Sequence, residues 1–154
     1  MRVVLQRVTH AAVTMEETGE RRKIGPGLVV LLGVGQGDVE GDVDYLVPKI
    51  LSLRIFSDEY GKMNLSLEDT QGQMLIVSQF TLFADTRKGK RPSFTDAAPP
   101  TIAIPLYERF VSQVQARGVT TQTGEFGADM RVEISNDGPV TLIIDSPPKP
   151  AIEK

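Results

Sequence analysis

Four consecutive apolar residues, Met74-Leu75-Ile76-Val77, run directly into a polar segment, Ser78-Gln79-Phe80-Thr81-Leu82, and this junction constrains the chain more than any other stretch. The apolar run is rich in β-branching and is bounded upstream by Gln71-Gly72-Gln73, so it predicts a buried strand over 74–80. Ser-Gln-x-Thr is out of place at the end of such a strand if the strand simply continues the core. These residues either satisfy backbone groups where the strand stops or present N–H and hydroxyl groups to a ligand. Strand ends are favoured places for sites because a rigid element holds them in position.

The rest of the pattern is mixed α/β. Val3, Leu5, Val8, Ala11 and Val13 alternate well enough for strand over 1–15, with Thr9-His10 a bend or bulge between two short strands. A charged hairpin connection follows at 16–23, and Ile24-Gly25-Pro26-Gly27 is a turn. Residues 28–34 predict a central strand, apolar on both faces. Asp38 or Asp42 caps a helix that runs through Leu53, with Val43, Leu46, Val47, Ile50, Leu51 and Ile55 on its apolar face. Pro48 removes one backbone hydrogen bond there, which predicts a kink or a late start. A strand begins at Arg54-Ile55-Phe56, and Leu65-Ser66-Leu67 is a short strand. A second helix starts at Ala97-Ala98-Pro99-Pro100, buries Ile104, Tyr107, Phe110, Val111 and Val114, and ends at Gly118. Strands at 119–122, 130–134 and 140–144 complete the order. The expectation is one domain over 1–146 with a loose tail at 147–154.

Composition narrows the chemistry. There is no cysteine and a single histidine, His10, so disulfides, a thiol nucleophile and Cys- or His-rich metal sites are excluded. His10 reads as a strand or core histidine rather than a catalyst. No Ser-His-Asp grouping and no paired-carboxylate motif is present, and Gly35-Gln36-Gly37-Asp38 lacks the remainder of a phosphate loop. Neither a metal nor a cofactor is expected. Charge interrupts the first seven residues too early for a signal peptide, and the longest apolar run, 28–32, is too short to span a membrane. A cytoplasmic protein is expected. The net charge of −3 speaks against a general nucleic-acid coat but leaves room for a local basic patch. What remains is a site of backbone groups and hydroxyls. Such a site is able to perform acyl transfer, because each N–H aimed at a developing oxyanion contributes about 3–4 kcal/mol.

A second dense stretch, Asn136-Asp137-Gly138-Pro139-Val140-Thr141, precedes the last apolar run. Alone, Gly138-Pro139 is a turn, and one where a cis peptide costs little. Together, Ser-Gln-Phe-Thr-Leu and Asn-x-Gly-Pro-Val-Thr resemble the two signature motifs of the D-aminoacyl-tRNA deacylase family. Gln6-Arg7-Val8, Ile24-Gly25-Pro26-Gly27-Leu28, Gly61-Lys62-Met63-Asn64, Arg91-Pro92-Ser93-Phe94 and Thr123-Gly124-x-Phe126-Gly127-Ala128-Asp129-Met130 resemble further family segments in the same order. Pro48 departs from the family pattern, which bears on helix geometry rather than on the site.

The resemblance implies a barrel-like curved β-sheet with two helices and a smaller associated sheet, assembled as a homodimer. It implies hydrolysis of the ester between a D-amino acid and the terminal adenosine of tRNA, a chiral proofreading step in translation. Ser78, Gln79, Phe80 and Thr81 then form the catalytic stretch, with the Phe80 and Thr81 amides facing the ester carbonyl. Gly138-Pro139 reaches the partner's site and excludes L-side chains, so glycine is discriminated weakly or not at all. Arg7 steadies that dipeptide, or is a surface charge. Phe126 and Met130 line the adenine pocket, or are core. Arg87, Lys88, Lys90 and Arg91 track acceptor-stem phosphates, or are a solvated loop. Thr81 lacks a base to activate it, so the vicinal 2′-hydroxyl of the ribose is the preferred aid to water. Two other classes stand beside this reading: a non-catalytic RNA-binding module and a small-molecule D-amino-acid esterase.

Overall fold

In a computed structural model that describes residues 1–149, the central element is a single long strand, β1 (Arg2–Met15). One edge of β1 serves two strands in succession. Its first half pairs antiparallel with β3 (Gly27–Gly33), from Arg2↔Gly33 to Val8↔Gly27. Its second half pairs with β2 (Arg21–Ile24), from Ala11↔Ile24 to Thr14↔Arg21. The other edge is taken along its whole length by β8 (Met130–Asp145). Beyond β3, β6 (Gln73–Ser78) and β7 (Thr121–Thr123) add in parallel, giving the order β2-β1-β3-β6-β7 with β8 on β1. The path curls back on itself. Arg22 of β2 donates to the Thr123 carbonyl of β7 at 2.7 Å, so the sheet is a nearly closed, barrel-like one.

Parallel neighbours need long crossovers. Helix α1 (Glu40–Ser52) lies between β3 and β6, and α3 (Pro100–Ala116) lies between β6 and β7. The apolar runs of β3 and β6 alternate between two cores, as strands buried on both faces must. Leu28, Val30, Leu32, Met74 and Ile76 pack with Val43, Leu46, Ile50, Phe110 and Val114 of the helices. Val29, Leu75 and Val77 pack with Val8, Val13, Met15 and Ile24 inside the barrel. The two parallel strands start in close contact: a Cβ on Gly27 would lie 1.8 Å from the Gln73 carbonyl oxygen. A small second sheet pairs β4 (Phe56–Ser57) with β5 (Met63–Leu65).

Several elements differ from expectation. The N-terminal strand is continuous, with register shifts around Val8, because β8 holds it across the Thr9-His10 irregularity. The hairpin segment 16–23 contributes Arg21 onward to β2. The strand expected at 65–67 ends at Leu65, where Ser66 caps a third short helix, α2 (Leu67–Thr70). The Ser66 hydroxyl accepts the Asp69 N–H at 3.0 Å and the Asp69 carboxylate accepts the Ser66 N–H at 2.9 Å, a reciprocal capping box. Helix α1 has Val39, not an aspartate, at its N-cap; Asp42 caps from inside by accepting the Val39 N–H at 2.8 Å. Asp38 instead accepts the Gly35 N–H at 2.6 Å and the Met1 ammonium at 2.8 Å. The helix does not start late at Pro48, which sits on its exposed side near the C-terminal end. The middle strand stops at Ser78, and 130–145 forms one strand rather than two.

Of the expected tail 147–154, residues 147–149 are described, and Lys149 bonds Asp38 and Asp42 at 2.8 and 3.0 Å. The remainder of that expectation, 150–154, lies outside the described residues. No helix among the described residues is long and apolar enough to cross a membrane.

Candidate active site

Because β3, β6 and β7 are parallel, their C-terminal ends open at one rim of the barrel, the end where open parallel sheets bind ligands. At that rim the chain leaves β6 through Gln79, whose N–H donates to the Leu32 carbonyl at 2.8 Å and so extends the ladder by one bond. It then coils into a 3-10 turn, Phe80–Phe83, with Leu82 N–H bonded to the Gln79 carbonyl at 3.2 Å and Ala84 N–H to that of Thr81 at 3.1 Å. The first N–H groups of such a turn have no intrahelical acceptor. Accordingly, the Phe80 and Thr81 N–H groups find no acceptor among the described residues. Ser78 and Gln79 are half-buried, whereas Phe80 and Thr81 are exposed. The Gln79 side-chain amide donates to the Thr81 hydroxyl. An amide N–H is a donor and cannot take the hydroxyl proton.

Val77, Ser78, Gln79 and Phe80 form one wall of a cavity of about 350 Å³. The other wall is Phe126, Gly127, Ala128, Asp129, Met130 and Val132, from the loop after β7 and the start of β8. The structure thus brings Ser78, Gln79 and Phe80 together with Phe126 and Met130. The latter two are half-buried: each packs part of its surface on the core and also lines the cavity. Phe126 stands edge-on to Tyr107, centroids 6.3 Å apart. The Tyr107 hydroxyl donates to the Ile76 carbonyl at 2.8 Å, and burial pushes its phenol up to about 12. Gly127, Ala128, Asp129 and Val132 were not singled out from sequence. Their signal was available: they lie within or beside the Thr123 to Met130 segment, and Met130 and Val132 share one strand face.

The second motif is a bulge, not a turn between strands. The β1–β8 register passes from Val8↔Asn136 to Gln6↔Thr141, so Arg7 alone faces Asp137, Gly138, Pro139 and Val140. The Asn136 side chain closes its base: Oδ1 accepts the Val140 N–H at 3.2 Å and Nδ2 donates to the Thr141 hydroxyl at 2.9 Å. Arg7 is no surface charge; only 9% of it is exposed. Its Nε donates to the Asp137 carbonyl at 3.2 Å and its Nη1 to the Ile55 carbonyl at 2.8 Å, tying the bulge to the segment before β4. The Gly138-Pro139 peptide is cis. Gly138 has φ 125°, and a Cβ there would meet Val140 Cγ2 at 2.8 Å and Arg7 Nη2 at 3.1 Å, so only glycine fits. Asp137, Gly138 and Pro139 are exposed and do not line the cavity that Ser78 lines in the same chain.

The basic loop is closed at its base by paired backbone bonds between Asp85 and Ser93. The four cations separate into two kinds. Arg87 is bonded to Asp85 at 2.6 Å and holds that carboxyl down at about 2. Lys88, Lys90 and Arg91 are exposed and form no ion pair among the described residues.

A family model described as D-Tyr-tRNA(Tyr) deacylase matches residues 4–145. The chain belongs to this family. It is 57% identical over 148 residues to a D-aminoacyl-tRNA deacylase of Myxococcus xanthus, a match covering 96% of this chain and 95% of that one. Among solved structures, a c-Myc DNA unwinding element binding protein matches with a TM-score of 0.88 and 42% identity, over 96% of this chain and 100% of that one. A probable eukaryotic D-amino acid tRNA deacylase, 21% identical, shares the fold with a TM-score of 0.82 over 94% and 98% of the two chains. The span matched by the deacylase model takes in Arg7, both motifs and the Phe126 to Met130 wall; Ser146 and Lys149 lie beyond it.

Proposed function

We propose that this protein is a D-aminoacyl-tRNA deacylase that hydrolyses the ester between a D-amino acid, or glycine, and the terminal adenosine of tRNA. The observation that carries the reading is the pair of N–H groups of Phe80 and Thr81, without acceptors among the described residues, where Phe80 lines a cavity walled by Phe126 and Met130, in a chain of this family. The adenine stacks on Phe126 beside Met130, which contributes about 1–3 kcal/mol. The ester carbonyl oxygen lies against the two N–H groups, which stabilise the oxyanion as it forms. Water attacks the carbonyl carbon, the bond to the ribose oxygen breaks, and that oxygen takes a proton, leaving a free D-amino acid and a free 3′-terminal hydroxyl. The vicinal 2′-hydroxyl positions and activates the water. The Thr81 hydroxyl is not the nucleophile, because its partner is an amide donor rather than a base.

Chirality is read by Gly138-Pro139 of a second subunit. The exposure of this dipeptide, its separation from the cavity of its own chain, and the 69% exposure of Ile143 on the same outer strand support a homodimer in which each bulge completes the partner's site. Arg7 and Asn136 hold that bulge in shape. Glycine offers no side chain to exclude. Lys88, Lys90 and Arg91 attract the acceptor-stem phosphates, with Arg87 shaping the loop through Asp85. The work is chiral proofreading in the cytoplasm.

The test is deacylation of D-Tyr-tRNA and L-Tyr-tRNA with EDTA present, with sedimentation to count subunits. Loss of the D-ester alone, by a dimer, supports the reading; loss of neither ester overturns it. The 42% identical relative named as a DNA unwinding element binding protein favours one second reading, nucleic-acid binding without turnover, which the same assay separates. A simple D-tyrosine ester hydrolysed as fast as D-Tyr-tRNA would instead indicate a small-molecule esterase.

A further inference from the structure

Phe80 and Phe94 form an edge-to-face pair with centroids 5.1 Å apart and an interplanar angle of 71°. Both rings are open to solvent, at 53% and 39% exposure, and neither belongs to the two core clusters. Phe80 lines the site cavity; Phe94 does not, but its ring packs on that of Phe80. Phe94 leaves the same closed loop that carries Lys88, Lys90 and Arg91, and backbone bonds of 2.7 and 2.9 Å between Asp85 and Ser93 fix its base. The far side of the segment is held by Gln36, whose N–H donates to the Asp96 carbonyl at 2.9 Å and whose side chain donates to that of Ala97 at 3.0 Å. A held, exposed aromatic at the base of a loop whose cations Lys88, Lys90 and Arg91 form no ion pair among the described residues is what a single-stranded nucleic acid needs: a stacking face for a base and charge for its phosphates. It serves packing poorly, since the apolar surface is left in water.

Resting on the deacylase reading, we infer that Phe94 is the stacking platform for the penultimate nucleotide of the tRNA 3′ strand, with Lys88, Lys90 and Arg91 holding the phosphates on its 5′ side. Once the terminal adenosine enters the cavity, the strand behind it leaves over Phe80, and Phe94 is the next surface it meets. The site therefore reads the unpaired end of tRNA as a strand, not as a lone adenosine.

The probe is a pair of D-tyrosyl esters, one on adenosine and one on the dinucleotide cytidylyl-adenosine. The quantity read is the ratio of their kcat/KM values, which does not depend on how much of a variant is folded. The wild type prefers the dinucleotide, Phe94→Ala lowers the ratio by about 5- to 150-fold, and Phe94→Tyr restores it. A wild type without the preference, or an F94A ratio equal to that of the wild type, overturns the inference; equal loss on both esters is the second of these, a merely structural role. Wild-type protein that cleaves neither ester nor D-Tyr-tRNA overturns the deacylase reading itself. For the phosphates, the log–log salt dependence of kcat/KM on D-Tyr-tRNA falls by about 0.7 per contact removed by Lys88→Ala, Lys90→Ala or Arg91→Ala. An unchanged slope in all three removes that half of the inference.

Discussion

Asn136 offers a way to disturb the candidate site without touching anything that a substrate would touch. Its side chain makes the two bonds that close the bulge, to the Val140 N–H at 3.2 Å and to the Thr141 hydroxyl at 2.9 Å. Asn136→Ala removes both. A neutral hydrogen bond contributes about 0.5–1.5 kcal/mol net, so the closed bulge loses about 1–3 kcal/mol against its open forms. With about 2 kcal/mol as the central value, the closed-to-open ratio falls by a factor of about 30. If the bulge presents Gly138-Pro139 to substrate, kcat/KM for D-Tyr-tRNA falls by about 10- to 30-fold, and the preference for D over L narrows with it. The Arg7 bonds to Asp137 and Ile55 remain, so the barrel stays intact and the Tm drops by about 4–8 °C for the central value of about 2 kcal/mol. Asn136→Asp separates loss of closure from loss of chemistry. A carboxylate accepts the Val140 N–H as before and also accepts from the Thr141 hydroxyl, which turns from acceptor to donor. That variant regains activity to within about threefold. Wild-type kcat/KM in N136A, or an N136D as weak as N136A, would refute the reasoning.

Three other outcomes are expected. Thr81→Ala keeps turnover within about tenfold, because the hydroxyl has no base; a loss of several orders in single-turnover assays would make Thr81 the nucleophile. Gly27→Ala forces a methyl against the Gln73 carbonyl where β3 and β6 begin, a displacement costing about 1–3 kcal/mol or more, so the melting temperature falls by at least about 2 °C; an unshifted Tm contradicts the close approach. Asp42 gives the acid dependence. Burial works to raise its carboxyl, but the Val39 N–H, Ser146 and Lys149 together lower it from 3.8 to about 2. A folded value below the ordinary one means that the stabilisation is present above about pH 4 and is lost as pH falls toward 2. Lys149→Met raises that carboxyl, so less stability is lost across this window; parallel acid-melting curves for the two proteins would count against it.

How far the sequence carries is best judged at particular residues. The strands at 27–33 and 73–78 were legible because a short apolar run bounded by turn residues has few other solutions. Helices α1 and α3 were legible from the spacing of Val43, Leu46 and Ile50 and of Tyr107, Phe110 and Val114. The short helix at Leu67–Thr70 was written in Ser66-x-x-Asp69 but was masked by the alternation of Leu65 and Leu67. Arg7 was ambiguous for a different reason. An arginine on a strand says nothing of its surroundings until the register of β8 sets Asp137 opposite it.

The same division holds for the site. The residues themselves determined the kinds of groups available: strand-end N–H groups, one threonine hydroxyl, an unbranched glycine before a proline, and neither thiol nor histidine pair. They also determined the local conformations, because turn, cap and strand preferences act over a few neighbouring residues. The tertiary structure alone decided that Phe126 and Met130 face Ser78 across one cavity, and that Asn136 to Thr141 is a closed bulge rather than a turn. It also left Gly138-Pro139 away from the cavity of its own chain. Those outcomes depend on the parallel placement of β7 beside β6 and on the register of β8 against β1. Register is fixed by burying one face of each long strand against distant partners, an energy summed over the whole barrel and carried by no local stretch of sequence.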